Sequence, residues 1–189
     1  MTTPLSWADL QRLPPRPREV IAVIDLFAAW EIAVFTAPLG KKGTLTTGWP
    51  TMDAAAAVQL ARDEALRRNG QVNIAARTGP TARGDYLVVV DLDGQDGYIP
   101  EEELERALAR LPEGVAVVRT FRGFTIWMKS HHHLRGRRLR QLTSDRCIAE
   151  FFGDAHLAQL PPSIHPEGVA YDWLLPPGGV LPWLTTTKS

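Results

Sequence analysis

Apolar positions along the chain recur at two different spacings, and the changes of spacing mark the elements. Val20, Ile24, Phe27 and Ala28 fall at helical intervals and predict a helix over residues 19–30, after a proline-rich opening read as a short helix and an extended leader up to Arg18. A strand is predicted at 32–37. The segment KKGTLTTGWPT is turn-rich and places Thr51 as the N-cap of an alanine-rich helix over 53–68 that Gly70 ends. Residues 71–77 form a predicted strand, and 78–84 a loop containing glycine and proline. The unbroken run in YLVVVDLD, residues 86–93, predicts a central strand buried on both faces and ending in acids. Pro100 then opens a helix as its first residue, with Glu101, Glu102 and Glu103 against the positive end of its dipole, and the helix closes near Leu111 and Pro112. Residues 115–120 and 124–128 read as a hairpin about Arg122-Gly123, and 147–152 and 156–160 as a second hairpin about Gly153-Asp154. The order predicts an α+β chain with a mostly antiparallel sheet.

Length and composition narrow the classes. A chain of 189 residues with an ordinary apolar content suits one folding unit with a substantial core. Asp25 and Glu31 interrupt the longest apolar stretch, and the opening MTTPLSWADLQRLPPRPREV lacks the apolar run of a signal peptide. The expectation is a cytoplasmic protein with no membrane segment. The single cysteine, Cys147, excludes an internal disulfide framework and any multi-cysteine metal site, and reads as a small core residue in a strand. Formal charge is zero by cancellation of 21 basic against 21 acidic residues. Residues 129–146 gather Arg135, Arg137, Arg138 and Arg140 against one acid, Asp145, and this segment is the candidate nucleic-acid contact.

Asp91 and Asp93 stand two residues apart at the end of the central strand, so their side chains share a face. Two carboxylates so placed repel each other unless a cation lies between them, and oxygen ligands suit Mg²⁺ or Mn²⁺. Such a pair can also be a turn or a helix cap. Glu150 adds a third acid inside the apolar run AEFF, where an unpaired charge would be costly unless it faces outward on a half-exposed strand.

In order, the chain carries VFTAPLGKKGTLTTGW, VNIAARTG, YLVVVDLDG, VVRTFRGFTIW and AEFFGDAHLAQLPPSIHPEGVAYDW. From about residue 20 to Trp173 this series resembles the N-terminal domain of bifunctional DNA primase-polymerases, in the archaeo-eukaryotic primase superfamily. The resemblance implies a primase-polymerase catalytic core in which an N-terminal α/β module, about 18–80, packs on an RRM-like module, about 85–175, within one domain spanning 1–189. It implies a two-metal site of Mg²⁺ or Mn²⁺ on Asp91, Asp93 and Glu150. The reaction implied is template-directed nucleotidyl transfer, as primer synthesis or extension, on a DNA template and primer with nucleoside triphosphates. Lys42, Thr125, Ser163 and His165 fall at positions implied to meet the nucleotide, and Arg122, beside the turn-permitting Gly123, stands where it can approach a phosphate closely. Room is lacking for a helicase or helical accessory domain, which would act in trans.

One position departs from the family pattern. TFRGFTIW carries Thr125 where the family usually has a histidine against the incoming phosphates, and a neutral hydroxyl cannot replace an imidazolium. Either another cation, Arg122 or a folded-back His131, takes that place, or the chain is a weakened or inactive relative that binds nucleotide or single strands. His131, His132 and His133 otherwise read as a solvated turn. An unrelated RRM-like RNA-binding module is a third reading, disfavoured by the aliphatic central strand. Of Trp30, Trp49, Trp127 and Trp173, at most one is expected to touch nucleic acid, Trp127 first.

Overall fold

The computed structural model describes residues 13–95, 101–138 and 144–184. Helix α1 spans Pro15–Ala29, strand β1 Val34–Pro38, and helix α2 Ala54–Arg67. Strands β2 (Val72–Arg77), β3 (Gly79–Pro80) and β4 (Tyr86–Gly94) precede helix α3 (Glu101–Leu108). Strands β5 (Ala116–Arg119), β6 (Gly123–Ser130), β7 (Arg137–Arg138), β8 (Cys147–Phe152), β9 (Leu157–Leu160) and β10 (Asp172–Leu175) complete the order. The α+β class with antiparallel pairing is as the sequence indicated.

Two helix starts differ from expectation. Helix α1 begins at Pro15 and takes in residues expected to be extended, because prolines in a first turn need no N–H donor. Asp53, not Thr51, caps α2, its carboxylate accepting from the Ala56 N–H at 3.0 Å. Thr51 instead ends a 3-10 turn, Trp49–Thr51. The opening helix and Pro100 lie outside the described residues.

Strands β1, β2 and β9 make a small sheet; a larger one runs β10-β5-β6-β4-β8-β7, with β3 paired to β4. The faces of β4 divide the core. Val88, Val90 and Leu92 pack with Leu104 and Ala107 of α3 and with Phe124 and Ile126 of β6. Leu87 and Val89 face the other way, joining Trp127, Ile24 and Phe27 of α1, and Val34 and Ile74 of the small sheet. The small sheet and α1 therefore cover the start of that second face, and Asp91 and Asp93 continue it beyond the cover.

The hairpin expected of β8 and β9 does not form. Strand β8 pairs with β4 and β7, which occupy both its edges, while β9 takes the open edge of β2, Ile74 opposite Leu160. At Gly153-Asp154 the chain crosses between sheets, so tightly that a side-chain carbon on Gly153 would stand 1.9 Å from the Leu134 carbonyl oxygen. A motif continuous in sequence is thereby split across both sheets.

Candidate active site

Antiparallel register sets three residues side by side on adjacent strands: Thr125 of β6 lies opposite Asp91 of β4, which lies opposite Glu150 of β8. Asp93, two residues on, lies opposite Gly123. That crossing requires glycine, since a side-chain carbon on Gly123 would stand 1.7 Å from the Leu92 carbonyl oxygen. Glu150 alternates with buried Ala149 and Phe151, which places it on the face of the two aspartates. Among the described residues, no three His, Cys, Asp or Glu side chains stand close enough together to hold a metal ion as they are placed. The carboxylates are nevertheless electrically coupled. Burial first, then the charge of Asp93 and, less strongly, of Glu150, push the Asp91 carboxyl up to about 7, while Lys42 pulls it down. An all-oxygen donor set with excess negative charge fits a hard divalent cation.

Asp91, Asp93 and Thr125 line a cavity of about 470 Å³ that Lys42, Arg122 and His165 also border. Arg122 pairs with Asp93 at 3.2 Å and stays about half exposed. His165 stacks on Phe121, ring centres 4.6 Å apart, so the loop bearing His165 braces the β5-β6 turn that carries Arg122. The His165 Nδ1 accepts from the Glu167 N–H at 3.1 Å, and burial together with nearby Lys42 lowers its pKa. A neutral ring with its proton on Nε2 follows.

The remaining sequence candidates separate. Ser163 is buried and does not border the cavity, its hydroxyl donating to the Ile74 carbonyl at 3.0 Å and accepting from the Ile74 N–H at 2.8 Å. Thr125 does border it, and its hydroxyl accepts from the Trp127 indole N–H at 2.9 Å. Trp127 is fully buried against Phe27, which overturns its expected place as the first nucleic-acid contact. His131 stacks on Trp183 rather than folding back to the cavity. Of the two cations considered for the position Thr125 leaves, Arg122 is the one that borders the cavity. In the basic segment, Arg135 is exposed, Arg137 and Arg138 form β7 at the edge of the larger sheet, and Arg140 lies outside the described residues. Lys129 belongs instead to the core, in a buried ion pair with Asp85 at 2.8 Å.

Several residues of the site were not singled out in the sequence. Gln159, Tyr171 and Phe152 also border the cavity, and burial followed by the charges of Asp91 and Asp93 pushes the Tyr171 hydroxyl up to about 12. Asn73 holds the site's loops together: its amide donates to the carbonyls of Lys41 and Ile164 at 2.8 and 2.7 Å and accepts from the Ile164 N–H at 2.8 Å. The visible signal for Gln159 and Asn73 was a polar side chain in an otherwise apolar strand.

A search of curated proteins finds no match to the chain. The sequence model of the bifunctional DNA primase/polymerase N-terminal domain matches residues 23–183. That span contains every element from within α1 to the bridge at Trp183, including the acidic row, the cavity and both sheets. The chain therefore belongs to the bifunctional DNA primase/polymerase, N-terminal domain family.

Proposed function

We propose that this chain is a metal-dependent nucleotidyltransferase that adds nucleotides to DNA on a template, with Asp91, Asp93 and Glu150 as the ligands of Mg²⁺ or Mn²⁺. The observation that supports it most is that Asp91 and Asp93 border a cavity that also presents Lys42 and Arg122, with Glu150 the register partner of Asp91 on the neighbouring strand. Residues directly opposite on neighbouring strands have Cβ atoms roughly 5 Å apart, which puts Glu150 in the neighbourhood of a cation held by the two aspartates. Bound metal supplies neutralisation of phosphate charge and activation of the attacking hydroxyl. The protein's own groups position the reactants. Lys42 and Arg122 hold the triphosphate, and Arg122 stands in for the cation absent at Thr125. His165 offers an uncharged donor from Nε2. Strand order β5-β6-β4-β8, with a helix between β4 and β5, supports the RRM-like reading of the larger sheet. DNA template, primer and nucleoside triphosphates are the proposed partners.

Thr125 favours a second reading, a relative that binds nucleotide or single strands without extending them, because its hydroxyl is engaged by Trp127 and carries no charge. Primer extension with labelled deoxynucleotides, in Mg²⁺ and in Mn²⁺, separates the two. Extension by wild type that Asp91→Ala abolishes supports the polymerase; nucleotide binding without extension in either metal supports the binder.

A further inference from the structure

Gln159 is an uncharged polar side chain of the cavity wall whose chemistry the fold leaves open. It sits on β9 opposite Ala75 of β2, is 8% exposed, and borders the same cavity as Asp91, Lys42 and Arg122. Its carboxamide oxygen is buried and has no hydrogen-bond partner among the described residues. Buried acceptors are almost always satisfied, so one left open in a side chain that borders a cavity points to a ligand that supplies the donor once the carboxamide turns. The side chains of Leu157, Ala158 and Phe152, which border the same cavity, carry no donor. Rotation about the soft terminal torsion of the side chain turns the oxygen toward the cavity without moving the strand.

The chemistry of a nucleoside triphosphate restricts which of its groups can meet this oxygen. A triphosphate presents only acceptors and is repelled by a carbonyl oxygen. Base edges do present donors, but templated addition passes all four bases through one site, and a side chain fixed on one edge would bias the product. Sugar hydroxyls are common to every nucleotide and donate. Resting on the nucleotide site proposed above, we infer that Gln159 is a specificity-determining residue that accepts a hydrogen bond from a sugar hydroxyl of the incoming nucleotide.

The test is equilibrium binding of deoxy-, ribo- and dideoxynucleoside triphosphates to the full chain in Mn²⁺, for wild type and Gln159→Met. Loss of one neutral hydrogen bond weakens binding by about three- to tenfold. Wild type is expected to lose that factor when the recognised hydroxyl is removed. Gln159→Met is expected to bind the hydroxyl-bearing nucleotides weaker by the same factor, to be indifferent to the hydroxyl, and to bind Mn²⁺ alone as wild type does. The ligand series on wild type needs no variant, so a protein indifferent to both hydroxyls overturns the inference even where Gln159→Met fails to fold. Equal hydroxyl dependence in both proteins, altered Mn²⁺ affinity, or a loss that differs among the four bases overturns it while leaving the nucleotide site intact. A wild type that binds no nucleotide overturns that site and this inference with it.

Discussion

Asp91 stands where burial and two neighbouring carboxylates act on one group, and the result is a carboxyl that titrates near 7. In the unfolded chain it titrates near 4. The folded state therefore holds this proton more tightly, so the stability the protonated form contributes is fully present below about pH 4 and lost as pH rises through about 7. Asp91→Asn cannot lose it. With divalent metal chelated, the melting temperature of Asp91→Asn is expected to exceed that of wild type by more at pH 8 than at pH 5. Melting curves that keep the same gap at both values would show that burial and the neighbouring carboxylates do not raise the Asp91 carboxyl. Opposite behaviour is expected on adding Mg²⁺ or Mn²⁺ at pH 8, which should raise the melting temperature of wild type more than that of the variant. The same residue would then be a cost to the metal-free fold and a ligand in the working one.

At the scale of elements, β8 joins the acidic row to the basic edge. Its Glu150 faces Asp91 on one side, and on the other its backbone pairs with β7, where Arg138 is the register partner of Glu150. A template strand running along β7 would reach the acidic row by crossing β8 alone. Replacing Arg135, Arg137, Arg138 and Arg140 by alanine is expected to flatten the dependence of single-strand affinity on salt, since each lost phosphate contact removes about 0.7 of a released counterion. Fluorescence-anisotropy titrations over a range of salt concentrations measure that slope, and an unchanged slope places the nucleic acid elsewhere. Lys129 is excluded from this surface by its ion pair with Asp85, although it lies in the same basic stretch of sequence.

For the whole molecule, the decisive feature is that two sheets share one core. Residues of α1, of the small sheet and of the larger sheet pack in a single cluster around Phe27 and Trp127. Strand β9 strengthens the link, because it follows β8 directly yet completes the sheet of β1 and β2. The two sheets are expected to unfold together, so far-ultraviolet circular dichroism and tryptophan fluorescence should trace one coincident denaturant transition. Two separated transitions would mean that the small sheet is a module stable by itself. No helix among the described residues is long and apolar enough to cross a membrane.

The sequence by itself determined the elements whose signal is local: the helical stripe of α1, the buried run of β4, the hairpin of β5 and β6, and two aspartates on one face. It also carried the ordered motifs by which the family is recognised. The tertiary structure decided what depends on which edges and surfaces remain open. Strand β9 could not be assigned to β2 from sequence, because a run of apolar residues specifies a strand and not its partner. Ser163 bonds to Ile74 and Asn73 to Ile164, across separations of 89 and 91 residues, so their positioning roles have no local trace. Trp127 and Gln159 show the same limit in opposite directions. A tryptophan beside the acidic strand is spent on the core, and a glutamine in an apolar strand borders the cavity, because side-chain use is settled by what packs against each face.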